Sequence, residues 1–247
     1  MASHNSGSST AKNGFKNEHD IVRMFNNWKN RKISQDWLKS MGYEIEKIES
    51  VEAKRITGNY KADIQVCIKL INSCIDVQNI QVKLVTGARG FNQIDKRWVD
   101  KYSDLWNMPE NIKRIIKLYT GEIESQKKKK GNKRRLFMDE FLQDEQDNLL
   151  CWLSQKKILI VSDILKGRGK FTAEWMLVTF KNKGNPASII KDMNFCMNYF
   201  GNGNIEITKN GNVRIGKITM QRKGGDNGKE TANMLQFKID PSELIQA

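Results

Sequence analysis

Two apolar-alternating runs separated by a short polar break constrain this chain most. Ala62 to Leu70 (ADIQVCIKL) sets Ile64, Val66 and Ile68 on every second residue. Asn72 and Ser73 supply a turn, and Cys74 to Thr86 (CIDVQNIQVKLVT) is again rich in β-branched residues. A period of two in adjacent segments specifies a β-hairpin with one face against a core. With the turn centred near Asn72 and Ser73, paired residue numbers sum to about 145, which sets Asp63 opposite Val82. Gln81 and Lys83 flank that position on one face of the strand.

The segments around the hairpin mix helix and strand. Met1 to Asn13 reads as a flexible leader before one domain over residues 14–247. Phe15, Val22, Phe25 and Trp28, then Trp37, Leu38 and Met41, recur at helical spacing, and Gly42 ends the second helix. Ile45 to Val51 has strand character. Ile94, Trp98, Tyr102 and Leu105 mark a helix, Ile112 to Leu118 a short one, and Leu136 to Leu153 a longer one. Ile158 to Val161 and Trp175 to Phe180 read as strands and Ala187 to Tyr199 as a helix. The end is β-rich: Ile205 to Thr208, an Asn210-Gly211 turn, Val213 to Met220, and Met234 to Ile239.

Composition narrows the function classes. The 247 residues carry 42 Lys+Arg against 28 Asp+Glu, a formal net charge of +14, so the partner class is a polyanion, with nucleic acid first. The densest block is Lys127 to Arg135, with smaller clusters at Lys166, Arg168, Lys170 and at Arg222, Lys223. There is no apolar run of membrane-spanning length and no secretory signal, which places the chain in the cytoplasm. Four cysteines without a CxxC pair read as reduced and structural. The only histidines are His4 and His19, so proton and metal chemistry falls to acids, lysines and amides.

An acid, an amide and a lysine converging at Asp63, Gln81 and Lys83 suit metal-dependent phosphodiester hydrolysis. Hard oxygen ligands hold Mg2+, the metal polarises the phosphate, and a lysine steers or activates water. Upstream, Gly14 to Glu18 opens the first helix and offers Glu18 as an acid beside that sheet. Downstream, Thr86 to Trp98 combines glycines with the base-edge readers Arg89, Asn92 and Gln93, with Lys96, and with a lone aromatic, Phe91, suited to wedging between base steps.

These residues carry a family likeness. The arrangement Asp63-x17-Gln81-Val82-Lys83 resembles the D…(D/E)xK motif of the PD-(D/E)xK nuclease superfamily, with Gln81 in place of the second acid. The runs GFNQIDKRWVDKY (Gly90 to Tyr102), Ile80 to Val85, Gly167-Arg168-Gly169 with Ala173-Glu174-Trp175, and Thr219 to Pro241 resemble type II restriction endonucleases of the HinP group, relatives of MspI. The likeness runs from about Thr10 to the C-terminus.

This resemblance implies an α/β fold: a PD-(D/E)xK nuclease core with a central mixed β-sheet flanked by helices, and a β-rich C-terminal recognition region. It implies a DNA endonuclease cutting double-stranded DNA at the palindrome GCGC, and a companion DNA methyltransferase. It further implies Mg2+ at a site built from Asp63, Gln81 and Lys83, with the Val82 carbonyl completing the coordination and Glu18 holding a peripheral water or metal. One departure is visible: the family pattern places Ser before the aspartate, and here Ala62 stands there. The loss of that hydroxyl is expected to weaken a water or metal contact.

The catalytic hairpin then spans about residues 62–86 and the recognition elements about 87–97 and 219–234. In the second element Gln221, Arg222 and Lys223 end a strand, Gly224, Gly225 and Gly228 let backbone approach a groove, and Asn227, Lys229, Thr231 and Asn233 offer donors. Reading GC-rich DNA favours Arg or Lys on guanine and an acid, Asp226, on cytosine N4. Two other classes remain open from the residues: a DNA-binding protein on the same scaffold that has lost cutting, and an RNA- or membrane-surface binder working through Lys127 to Arg135.

Overall fold

In the computed structural model, which describes residues 6–87, 90–126, 135–181, 187–225 and 228–245, two five-stranded sheets form the frame. The chain divides into two compact units where the sequence suggests one domain. The first comprises residues 1–92, 165–196 and 240–247, the second residues 93–164 and 197–239.

In the first unit, α1 (Ser6–Asn26) and α2 (Lys32–Ser40) pack on a mixed sheet. Its strands are β1 (Ile48–Arg55), β2 (Ile64–Leu70), β3 (Ile75–Val85), β5 (Trp175–Phe180) and β6 (Ala187–Asp192), in the order β1-β2-β3-β5-β6. Only the β3–β5 pairing is parallel. Ile64, Val66, Ile68 and Ile80 turn to one face and are fully buried against Ile21, Phe25 and Leu38 of the helices. Each such side chain contributes about 1.5–3 kcal/mol. Phe25 and Trp37 meet with ring centroids 5.1 Å apart. The Asn26 amide donates to the Ala53 carbonyl and accepts from its N–H, fixing α1 along β1. Helix α2 stops at Gly42, whose φ of +91° no β-carbon residue adopts cheaply.

The second unit holds the sheet β4-β10-β9-β8-β7. These strands are β4 (Asn92–Arg97), β7 (Ile205–Ile207), β8 (Val213–Ile215), β9 (Ile218–Arg222) and β10 (Leu235–Ile239). The helices α3 (Val99–Trp106), α4 (Glu110–Thr120), α5 (Gln143–Leu165) and α6 (Met193–Gly201) complete the chain, α5 and α6 crossing the unit boundaries. Its core is aromatic: Tyr102 stacks on Trp106 at 4.5 Å, and Phe237 meets both edge-on. The Tyr102 hydroxyl donates to Asp95, and burial, reinforced by that carboxylate, pushes its pKa up.

Several elements differ from the sequence reading. Residues 6–13, expected in the leader, begin α1. Ile158 to Val161, expected as a strand, lies inside α5, because helix propagated from Gln143 overrides the β preference of a short apolar run. Ile94 belongs to β4 rather than a helix, and residues 187–192 form β6 before α6 begins. Gly216, at φ +58°, divides the expected strand Val213 to Met220 into β8 and β9. The cysteines are free, and Cys74 and Cys151 are exposed rather than packed. Burial moves the Cys196 thiol up to about 12. Among the described residues, no helix is long and apolar enough to cross a membrane.

Candidate functional site

The β2–β3 hairpin departs from its expected register in a way that builds a site. Partners along the ladder sum to 144, as in Ile64 with Ile80 and Gln65 with Asn79, not 145. At the open end the Asp63 N–H also bonds the Ile80 carbonyl at 2.9 Å, so two residues of one strand face one of the other. Such a bulge ends regular pairing and re-aims a side chain. Asp63 therefore does not sit opposite Val82 through the backbone. Its carboxylate reaches there instead, Oδ2 accepting the Val82 N–H at 2.7 Å.

Within an extended strand a residue's N–H and C=O point to the same side, so the Val82 carbonyl also looks toward Asp63. Gln81, only 3% exposed, donates from Nε2 to the Lys61 carbonyl at 3.3 Å. Its Oε1 is buried with no hydrogen-bond partner. An orphaned acceptor of this kind calls for an explanation, because leaving it unmade costs about 1–3 kcal/mol. Lys83 is half-buried, and its charge acts on both Asp63 and Glu18.

Burial pushes the Asp63 carboxyl up from the usual range, and Lys83, the Val82 N–H, Lys61 and Arg55 oppose that push. Glu18 on α1 is also raised, by burial first and then by the Asp63 charge, with Arg55 and Lys83 opposing. Two desolvated carboxylates are thus held together by two cations. No group of three His, Cys, Asp or Glu side chains suited to a metal exists among the described residues. The donor set is one carboxylate, one amide oxygen and one main-chain carbonyl, all hard oxygens that fit Mg2+ rather than a soft metal.

Residues around these groups support the set. The Thr179 hydroxyl lies 3.0 Å from Asn17 Oδ1 and 3.4 Å from the Lys83 carbonyl, tying α1 to the β3 strand. Gly167 has φ +84°, and a β-carbon there would come within 2.3 Å of Lys61 Cγ. Its glycine identity lets the following loop lie on the segment that Gln81 grips. Ala62 is 3% exposed and donates its N–H to the Phe171 carbonyl, so its side chain is shielded from solvent.

The residues expected to touch DNA divide into three groups. Arg89, Asp226, Asn227 and the block from Lys127 to Arg134 lie outside the described residues. Phe91 is 57% exposed, on a segment whose Gly90 N–H bonds the Asp240 carboxylate. Gln93, Lys96 and Lys229 are exposed, and Gln221, Arg222 and Lys223 are half-buried. Burial and the neighbouring charges of Lys96 and Lys229 depress Lys223.

Two expected base readers are committed elsewhere. The Asn92 amide donates to the Leu84 and Gly90 carbonyls and braces the loop. Asn233 is buried, and its Oδ1 accepts both Nε and Nη2 of Arg222, at 3.2 and 2.6 Å, so it orients that guanidinium. Arg135, the last residue of the basic block, sits over the Phe137 ring, 4.0 Å from its centroid.

Comparison with known proteins adds to this geometry. The model of the family "R.HinP1I restriction endonuclease" matches residues 41–245, a stretch that begins after Glu18. Among solved structures, the fold is similar to the restriction endonuclease MspI, solved in complex with its cognate DNA, with a TM-score of 0.66 and 13% identity. That alignment covers 96% of this chain and 93% of the other. No curated protein matches the sequence.

Proposed function

The chain belongs to the R.HinP1I restriction endonuclease family and is a type II site-specific deoxyribonuclease; from that premise we propose that it cuts double-stranded DNA at the palindrome GCGC with Mg2+ as cofactor. The observation that carries the cofactor is the buried, unpartnered Gln81 Oε1 on the strand that meets the Asp63 carboxylate. Asp63, Gln81 Oε1 and the Val82 carbonyl are the groups that would hold the ion. Bound there, a divalent cation would polarise the scissile phosphate and offset its developing charge. Lys83 orients or deprotonates the attacking water, and Glu18 holds a peripheral water.

For recognition, Arg222 is the guanine reader, aimed by Asn233. Asp226 accepts from cytosine, and Arg89, Gln93, Lys96, Gln221, Lys223, Asn227 and Lys229 supply base-edge and phosphate donors. Phe91 wedges between base steps, a use that its exposure supports. A cytoplasmic nuclease of this kind needs a companion DNA methyltransferase to shield the host's own sites.

Digestion of a plasmid in Mg2+, with sequenced product ends and a Lys83→Ala control, tests the reading. Discrete ends within GCGC are expected, with the control slower by about 10²–10⁴-fold and still binding the duplex. Cuts at unrelated sequences would remove the GCGC assignment, and an active control would remove Lys83. Phe91→Ala should leave stability within about 0.5 kcal/mol, as befits an exposed side chain. It should slow cleavage roughly tenfold through lost stacking on bases, measured as a single-turnover rate beside a melting curve.

A further inference from the structure

We propose that Arg55 is a positioning residue for this reaction, acting through Glu18. The inference rests on the catalytic reading above. Arg55 ends β1 and is paired with Ile64, next to Asp63 in sequence. Its Nε and Nη2 both lie 2.9 Å from the same oxygen, Glu18 Oε2. An arginine that merely staples two elements commonly engages both carboxylate oxygens in a parallel fork. Here Nε donates to Oε2 and Nη2 stands at ion-pair distance from that same oxygen, and among the described residues no hydrogen bond reaches Glu18 Oε1. The side chain is thereby fixed in direction with one oxygen left over.

The guanidinium is itself held on two further sides. Nη1 lies 3.1 Å from His19 Nε2, and the group sits over the Phe15 ring, 5.2 Å from its centroid. Ion, imidazole and ring together immobilise a side chain that is 26% exposed, within a short stretch of α1. The charge also serves the centre. Glu18 and Asp63 repel one another in a desolvated setting, and Arg55 is a cation opposing that repulsion alongside Lys83. Among the described residues Arg55 makes no hydrogen bond to the Asp63 carboxylate or to Gln81, so its contact with the centre is Glu18, while its charge also acts on Asp63 across space.

Coupling between variants separates this role from a structural one. Single-turnover cleavage of a GCGC duplex is measured for Glu18→Gln, Arg55→Met, Arg55→Lys and the double variant Glu18→Gln/Arg55→Met. Melting curves and metal-free binding of the labelled duplex are recorded beside them. Arg55→Met is expected to slow cleavage on the order of 100-fold, the scale of a misplaced reacting group, with duplex affinity unchanged. The double variant should be no slower than the worse single one, since both remove the same contact. Arg55→Lys should recover part of the rate, because it keeps the charge and loses the two-donor geometry.

Losses that multiply in the double variant would overturn the proposal while leaving Glu18 catalytic. So would a loss of duplex affinity matching the loss of rate, which would make Arg55 a DNA contact. A Glu18→Gln protein as fast as the parent would remove Glu18 from the site and Arg55 with it, leaving Asp63 and Lys83 untouched. Should Arg55→Met melt far below the parent, Arg55→Lys carries the same comparison.

Discussion

Asn in place of Asp63 is expected to give a protein that no longer cuts DNA yet melts higher than the parent in chelator at pH 7. The loss of cutting follows from removing the one carboxylate among the three proposed ion-holding groups. If the ion supplies about 4 kcal/mol of transition-state stabilisation, the rate falls about 10³-fold. The gain in stability follows from the direction of the carboxyl's shift. Burial raises the Asp63 pKa in the folded chain, so the folded state binds the proton more tightly than the unfolded one.

Such a group's favourable contribution is complete below its unfolded pKa of about 3.9 and is lost as pH rises through the folded value. At pH 7, above the unfolded value, the buried carboxyl burdens the fold, and its charge opposes that of Glu18. Asn keeps an oxygen for the Val82 N–H and carries no charge. A gain of about 1 kcal/mol would appear as roughly 2–4 °C in a chain of this size. The gap between variant and parent should narrow as the pH is lowered through the folded carboxyl's range. A variant that melts below the parent at pH 7, or a gap indifferent to pH, would contradict the electrostatic reading. That result would mark the proposed catalytic carboxylate as one maintained against the interest of stability.

The hairpin was legible because a period of two leaves a mark on sequence, and with it came Asp63, Gln81 and Lys83 as candidates. Two details left none: a turn centred on Asn72 makes the pairing sum 144 rather than 145, and the bulge at the open end sends the Asp63 carboxylate, not a backbone group, to Val82. Arg55 was invisible for another reason, since its bond to Glu18 spans 37 residues and Arg55 itself stands in no motif. Asn92 and Asn233 show a different limit. A sequence displays polar groups without saying which are already engaged: the Asn92 amide donates to neighbouring carbonyls, and the Asn233 oxygen accepts from Arg222. Ile158 to Val161 misled because four apolar residues fit a strand or a buried helix equally, and only the length of α5 decides between them.

Gln81→Glu should invert the behaviour of the Asp63 variant: weaker without metal, stronger with it. In the parent, Gln81 places a neutral oxygen in the site and an N–H on the Lys61 carbonyl. Glutamate keeps the oxygen, loses the donor and turns a second negative oxygen toward that carbonyl. A third carboxylate then joins Asp63 and Glu18 where burial already works against two. In chelator the variant should lose about 1–3 kcal/mol, the range for a buried polar group left unpaired, or roughly 5 °C of melting temperature. Added Mg2+ should return most of that loss, since a bound ion stabilises in proportion to its affinity for the folded state. The extra charge should lower the Mg2+ needed for half-maximal cleavage about tenfold or more, because ligand charge sets affinity at oxygen sites. A variant whose melting temperature and metal requirement both match the parent would mean that Gln81 Oε1 does not face the ion. The orphaned oxygen would then have to be satisfied by water alone, and the family likeness of Gln81 to an acid would be one of position without function.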